Sequence, residues 1–176
     1  MDYHDWDRPG SLDSLLFSIM KRLVVSCDGT WNTPDQEHEG RKCPTNVPKF
    51  HNSVLPNDKL GTAQLTYYHP GVGTEGGALS RLAGGAYGEG LSRNIKSAYK
   101  WIATNYEMGD EIYLLGFSRG AYTVRSLAGF IGRCGLPVTQ GQTEARIWER
   151  VEASYAEGYR KRSPKWKKPT WLWHPP

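Results

Sequence analysis

The sequence predicts an α/β fold in which helices flank a parallel sheet, because short apolar runs alternate with amphipathic segments. Residues 23–27, 64–68 and 111–115 have the length and the β-branched or aromatic content of buried strands. Helical periodicity follows at 91–106 and again at 121–131. Strands that alternate with helices in this way pair in parallel through crossover connections.

The predicted helices have recognisable starts and stops. A short helix over 46–55 begins behind Thr45 or Asn46, both of which are favourable N-cap residues. The helix that starts at Ala121 is expected to end before Gly135, which has the flexibility that a C-cap requires. A further helix is expected over 144–155, and the glycine-rich stretch 71–90 and residues 31–44 are expected to be loops.

The 176 residues suffice for one domain with two appendages. We expect an N-terminal extension at 1–20, a partial α/β domain at 21–158 and a basic tail rich in proline and tryptophan at 159–176. Six of the 22 Lys and Arg residues lie in that tail, which contains no acid, and the remaining 16 are set against 18 acidic residues. A near-neutral body of this kind argues against a nucleic-acid-binding fold, which spreads positive charge over one face.

The chain contains no apolar run of the roughly 20 residues that a membrane span needs and no signal-peptide pattern. The default compartment is therefore the cytoplasm, with effector-type export left open. Its three cysteines, Cys27, Cys43 and Cys134, fit neither a disulfide framework nor a zinc site. No metal or organic cofactor is implied.

One motif indicates chemistry. Gly116-Phe117-Ser118-Arg119-Gly120 matches G-x-S-x-G directly after a predicted strand and before a predicted helix. In that context the serine occupies a strained strand-to-helix turn, and the two glycines allow the segments to approach closely. We therefore expect Ser118 to be a nucleophile, although a serine that only caps the helix is the structural alternative.

Backbone amides beside such a serine stabilise a developing oxyanion. Arg119 supplies the first donor by its position after the nucleophile. The second is expected from a loop after another strand, and Gly29 in the segment Asp28-Gly29-Thr30-Trp31 is the candidate. Asp28 either orients this loop or turns the chain.

Two other motifs are similar to known functional patterns but lack a residue that the pattern requires. Residues 71–76 match the dinucleotide pattern G-x-G-x-x-G, but no second strand with a ribose-binding acid follows soon enough. The sequence Asp28-Gly29-Thr30 is similar to a phosphatase pattern whose nucleophilic aspartate would fall on Ser26. A tight glycine loop is the simpler interpretation of the first motif, and the second has no nucleophile.

Taken together, five segments resemble the catalytic domain of the type VI secretion phospholipase effectors and their uncharacterised relatives, an α/β-hydrolase family. The resemblance covers about residues 20–136 and implies a three-layer α/β-hydrolase-like sheet. The matching segments are Leu23–Asn32, Thr45–Val47, Tyr67–Thr74, Gly109–Tyr113 and Gly116–Tyr122.

The resemblance implies a Ser-Asp-His triad that hydrolyses esters, with phospholipids as the substrates of the secreted effectors and Ser118 as nucleophile. The aspartate and histidine of the family lie after the serine, whereas no aspartate follows Ser118 here. His174 is the single histidine in that part of the chain, and His69 precedes the serine and does not match the catalytic position. We therefore expect a domain truncated in its C-terminal half, with little or no turnover from this chain alone.

Several roles stay open at this stage. His174 is a candidate base and Glu144 or Glu149 a candidate orienting acid, and a second chain is the alternative source of both. Arg119 or Arg125 binds an acidic head group or pairs with Asp110 or Glu111. Two rival hypotheses are a catalytically inactive interaction module and a tail that holds an anionic membrane or single-stranded nucleic acid through its cations and tryptophans, although no specific nucleic acid is expected.

Overall fold

The computed structural model describes residues 20–29, 32, 34–35, 37–71, 86–161 and 167–173. For residues 86–89 and 173 it describes the backbone and not the side chain. The strands are β1 (Arg22–Cys27), β2 (Glu37–His38), β3 (Arg41–Lys42), β4 (Gln64–His69), β5 (Glu111–Gly116), β6 (Leu136–Pro137) and β7 (Leu172–Trp173). The helices are α1 (Asn46–Ser53), α2 (Ala86–Asn105), α3 (Arg119–Cys134) and α4 (Glu144–Ala153), and a π-helical turn, Ser154–Arg160, continues α4.

A parallel sheet of three strands in the order β4-β1-β5 forms the centre of the described part of the molecule. The register places Cys27, the last residue of β1, opposite His69 on one side and Gly116 on the other. All three strands therefore end at the same edge of the sheet, called here the carboxyl edge.

Helices lie on both faces of this sheet. Tyr67 and Tyr68 are neighbours on β4 and so point to opposite faces. The ring of Tyr67 is 5.4 Å from Trp101 of α2, and the ring of Tyr68 is 5.4 Å from His51 of α1. The larger core lies on the α2 side, where Leu23 and Val25 of β1 pack with residues of α2, α3 and α4.

The strands and helices expected from the sequence are present, which confirms an α/β fold with a parallel sheet. Thr45 caps α1 by accepting a hydrogen bond from the Val47 amide. Gly135 follows α3 with φ of 77°, and its N–H donates to the Ile131 carbonyl at 2.7 Å. Helix α2 starts five residues earlier than the apolar stripe indicated, at Ala86.

The C-terminal segment differs from the irregular tail that we expected. Leu172 is buried, and β7 pairs antiparallel with β6. The guanidinium of Arg150 lies 5.5 Å from the centre of the Trp171 ring. This part of the segment is therefore packed against the domain, and Trp171 is not held out for stacking with a ligand.

Some predictions fall on residues outside those the structure describes. These are the N-terminal extension up to residue 19, most of the glycine-rich stretch (72–85), Trp31 and His174. Residues 31–44, expected to be loop, contain the two-residue strands β2 and β3 among their described part. Within the described part of the chain, no helix has both the length and the apolar character to cross a membrane.

Candidate functional site

Three chain segments meet at the carboxyl edge of the sheet. Asp28 and Gly29 follow β1, Pro70 follows β4, and Ser118 follows β5 by one residue. The Asp28 amide donates to the His69 carbonyl at 2.9 Å, and the Phe117 amide donates to the Cys27 carbonyl at 3.1 Å. Ligands of open parallel sheets bind at this kind of edge.

Ser118 has a strained backbone, with φ of 53° and ψ of −122°. Positive φ is uncommon outside glycine and is maintained where the surrounding structure requires it. Here the glycines on either side of Ser118 show what holds the turn in this conformation. A Cβ on Gly116 would lie 2.5 Å from the Gly120 carbonyl oxygen, and one on Gly120 would overlap the Cys27 carbonyl oxygen. Strand β5 and helix α3 thus pass so close together that the turn accepts no side chain at either glycine.

The Ser118 side chain makes no capping hydrogen bond to α3, although the residue occupies the N-cap position. It is exposed at the carboxyl edge. This observation goes against the structural alternative of a serine that only caps the helix. Arg119 is the first residue of α3, so its amide lies at a helix N-terminus, where N–H groups point outward and favour a negative charge.

Asp28 is a buried carboxylate at the same edge, with 3% of its surface exposed. Its two oxygens accept hydrogen bonds from three groups: the Gly29 amide at 2.7 Å, the Thr45 hydroxyl at 2.9 Å and the Tyr68 hydroxyl at 3.0 Å. Burial, and then the Asp28 charge, raise the pKa of Tyr68, so its hydroxyl stays protonated and can donate. These four residues are called the Asp28 network below.

Gly29 lies against the serine turn. A Cβ at this position would be 3.2 Å from the Ser118 Cβ and 3.0 Å from Cδ1 of Phe117. The Gly29 amide, however, donates to Asp28. This engagement argues against Gly29 N–H as the second oxyanion donor and gives the residue another role, which is to let the 28–32 loop approach Ser118.

Other groups near this edge have their chemistry limited by their surroundings. Burial raises the pKa of Cys27 to about 12, so its thiol stays protonated and is a poor nucleophile at neutral pH. Among the described residues, no group of three His, Cys, Asp or Glu side chains is arranged to hold a metal ion.

The glutamates that follow Ser118 are engaged in surface ion pairs. Glu144 pairs with Lys100 at 2.5 Å, and Glu152 pairs with Lys96 at 2.5 Å. Glu149 and Glu157 pair with Arg146 and Lys161 on their own helical segment. Helix α2 connects β4 to β5 and so runs away from the carboxyl edge, toward the edge where β5 begins. Lys100 lies in the second half of this helix, and its partner Glu144 is therefore on the side of the molecule away from Ser118.

His69 lies at the carboxyl edge with β1 between it and β5. Its Nδ1 is 2.7 Å from the Pro70 carbonyl oxygen, which favours the tautomer with the proton on Nδ1. His174, the candidate base, lies outside the described residues.

The expected pairing of Arg119 or Arg125 with Asp110 or Glu111 is wrong. Asp110 pairs with Lys21 at 2.7 Å, and Glu111 pairs with Arg22 at 2.9 Å. Both acids stand at the start of β5, whereas Arg119 follows the end of that strand. The length of the strand separates the two groups of charges.

Thr45 and Tyr68 were not identified as site residues from the sequence. They are 17 and 40 residues from Asp28 along the chain, and only the parallel pairing of β1 with β4 brings Tyr68 beside it. The one available signal was that both belong to segments that resemble the effector family.

These features define a class of protein: an α/β protein with a strained, exposed serine between a parallel strand and a helix. The particular family follows from comparison. Residues 21–173 match the model of the T6SS, Phospholipase effector Tle1-like, catalytic domain, and the chain belongs to this family. The match includes β6 and β7, so it extends beyond residues 20–136, which contain the segments that resemble the family.

An uncharacterized protein of Saccharomyces cerevisiae (strain ATCC 204508 / S288c), YEL023C, is 34% identical to this chain over 129 residues. The matched region covers 66% of this chain and 18% of the yeast protein. The chain therefore spans less than a fifth of the length of that relative. No solved structure matches the chain significantly.

Proposed function

We propose that this chain carries the nucleophilic part of a serine lipase, in which Ser118 forms an acyl-enzyme with an ester substrate. The observation that carries the proposal is the backbone of Ser118, with φ of 53° between β5 and α3. Such strain is retained where it exposes a reactive group. The description of the family as a phospholipase effector catalytic domain supports a lipid ester as the substrate class.

The proposed reaction proceeds in two steps. Ser118 Oγ attacks the carbonyl carbon of the ester and gives its proton to a base, and the alcohol leaves with that proton when the ester C–O bond breaks. Water then attacks the acyl group, gives a proton to the same base and releases the fatty acid, while Ser118 regains its proton. No metal or cofactor enters this scheme.

The oxyanion of each tetrahedral intermediate requires donors beside Ser118. We assign the first donor to the Arg119 amide, which stands at the start of α3. The second is assigned to the segment that begins at Gly29, because a Cβ at this glycine would lie 3.2 Å from the Ser118 Cβ.

The base and its orienting acid lie outside the described residues in this proposal. The four downstream glutamates are held in surface pairs, so the acid is assigned to a further segment or to a second chain. A three-layer α/β-hydrolase-like sheet would receive that segment beside β5, which has one strand neighbour among the described residues. Residues 21–173 are then one incomplete hydrolase domain.

The surroundings of Ser118 suit an apolar acyl chain. Phe117 and Tyr122 are 52% and 58% exposed and flank the serine in sequence, one before it and one in the first turns of α3. Exposed aromatic side chains beside a reactive group mark a surface that binds apolar ligands or a lipid interface. We therefore place the acyl chain along these two rings.

Labelling with a fluorophosphonate tests the proposal. The probe reports the first attack by the serine alone, whereas an ester-hydrolysis assay also requires deacylation of the enzyme. We expect intact mass and peptide mapping to show one adduct, on Ser118, that is absent from Ser118→Ala. The matched control is Ser53→Ala, which removes an exposed hydroxyl bonded to the Phe50 carbonyl and should label like the parent.

A folded protein that acquires no adduct on Ser118 would contradict the proposal and favour an inactive module that retains the fold. The variant His174→Ala separates the sources of the base. Loss of labelling in this variant assigns the base to His174, and unchanged labelling assigns it to another segment or chain.

A further inference from the structure

The Asp28 carboxylate accepts several hydrogen bonds, and the three described groups that donate to it are all uncharged. The Gly29 amide and the hydroxyls of Thr45 and Tyr68 all donate to it, and the residue is 3% exposed. Burial of a carboxylate in this way is costly, and only several good hydrogen bonds offset the cost. A chain turn alone does not need such an arrangement, because an exposed Asp or Asn serves equally well.

The three donors come from three separate parts of the fold. Gly29 belongs to the 28–32 loop, Thr45 is the N-cap of α1, and Tyr68 lies on β4. Through one carboxylate, the loop is tied both to the helix on one face and to the neighbouring strand. The Asn32 amide donates to the Gly29 carbonyl at 3.0 Å, and the Gly71 amide donates to the Asn32 carbonyl at 3.3 Å, which anchors the loop at its other end.

Gly29, at the start of this loop, lies against the Ser118 turn. The position of a Cβ on Gly29 is 3.2 Å from the Ser118 Cβ, so a displacement of the loop by an ångström changes the space above the serine directly. The rate enhancement that an oxyanion donor provides changes when the donor is displaced by about an ångström.

We propose that Asp28 is a positioning residue that fixes Gly29, and with it the start of the 28–32 loop, against the Ser118 turn, with Thr45 and Tyr68 as the groups that hold its carboxylate. This inference rests on the proposed function, in which the loop supplies the second oxyanion donor. Asp28 acts through the loop and does not contact the substrate.

Tyr68→Phe is the main test, because it removes one hydroxyl and keeps the ring against His51. We expect Ser118 to react with the fluorophosphonate about 5- to 30-fold more slowly, as befits the loss of a hydrogen bond to a charged group. Tyr113→Phe is the matched control, since Tyr113 also donates to a carboxylate, that of Glu111, at 2.9 Å but is remote from this edge. The control should label at the parent rate.

Three further variants separate the loss of these hydrogen bonds from a loss of folding. Thr45→Ser keeps a hydroxyl for Asp28 and should retain most of the labelling rate, whereas Thr45→Val should lose about as much as Tyr68→Phe. Asp28→Asn should have the largest effect, because an NH₂ group, which cannot accept, replaces one of the two oxygens that share the Gly29, Thr45 and Tyr68 donors. Circular dichroism of each variant confirms folding before rates are compared.

Hydrogen exchange of the Gly29 and Asn32 amides gives a second readout that does not depend on Ser118 reactivity. We expect both amides to exchange at least about tenfold faster in Tyr68→Phe than in Tyr113→Phe or the parent. Unchanged labelling together with unchanged exchange would overturn the inference, as would faster exchange without slower labelling.

The two proposals fail in different ways. If the parent protein does not label at all, the proposed function fails, and the exchange experiment decides whether the Asp28 network orders the loop. If the parent labels and Tyr68→Phe labels equally fast, the proposed function stands and the positioning role of Asp28 is overturned.

Discussion

Gly120 is the residue on which the geometry of the serine turn depends most strongly. It is buried, and a Cβ there would overlap the Cys27 carbonyl oxygen and lie 2.6 Å from that of Asp28. Both obstructing atoms belong to the backbone at the end of β1 and directly after it, and backbone atoms cannot move aside as a flexible side chain can. The restriction is therefore one of space, since no positive φ is involved at this glycine.

Gly120→Ala is expected to destabilise the protein by about 1–3 kcal/mol, through overpacking, and to abolish Ser118 labelling. Gly132→Ala, in the same helix, is the matched control, since nothing lies within 4 Å of its Cβ position. The control should stabilise the protein by about 0.5–1 kcal/mol, because alanine is the better helix former. Urea unfolding monitored by circular dichroism measures both, and equal stabilities for the two variants would contradict the steric argument.

The paired strands β6 and β7 show that the C-terminal segment contributes to the fold. Leu172 is 7% exposed and belongs to the main core cluster, and the Val138 amide donates to the Trp171 carbonyl at 2.8 Å. The family match ends at residue 173, in the same strand.

Leu172→Ala should therefore cost about 2–5 kcal/mol of unfolding free energy, the usual range for truncating a buried leucine. Leu60→Ala is the control for the same chemical change at a side chain that is 91% exposed, and it should change the free energy by less than about 0.5 kcal/mol. Equal unfolding midpoints in urea for both variants would mean that β7 is not part of the cooperative core.

The positions of helices and strands can be predicted where residues close together in sequence, such as caps and turn glycines, define them. Thr45 before α1, Gly135 after α3 and the glycines around Ser118 each identify their elements within a few residues. The pairing of β7 with β6 was not predictable, because a two-residue strand has no periodicity to detect. The same reason explains why Tyr68 was missed, since its contact with Asp28 exists only after β4 pairs with β1.

At the scale of the whole molecule, a cluster of charges joins β1, β5 and the segment that precedes β4 at the edge opposite Ser118. Arg22 of β1 bonds Asp58 at 2.5 Å and Glu111 of β5 at 2.9 Å. The hydrogen bond from Arg22, followed by that from Tyr113, lowers the pKa of Glu111. Burial opposes ionisation of Asp58, yet hydrogen bonds from the Thr62 amide and from Arg22 hold its pKa below the ordinary value.

A carboxylate whose pKa is lowered by folding adds stability above its unfolded pKa, and this stability is lost as the pH falls through the folded pKa. The urea midpoint should therefore be nearly level at pH values well above 4.5, the ordinary value for Glu111, and should decrease below it. Glu111→Gln should flatten that decrease, whereas Glu149→Gln, in an exposed pair within one helix, should leave it unchanged. Identical acid profiles for the two variants would contradict a role for the Arg22 pairs.

The close contact of Gly120 with β1 also has a mechanical meaning. Because main-chain atoms of α3 rest directly on the Cys27 and Asp28 carbonyls, helix and strand cannot slide past one another by exchanging rotamers. The distance between Ser118 and Gly29 is then fixed by the register of the sheet. Substitutions of the surrounding side chains should not change this distance. Sequence drift in the core of this protein should accordingly leave the geometry of the Ser118 turn intact as long as the three-strand register and the glycine are kept.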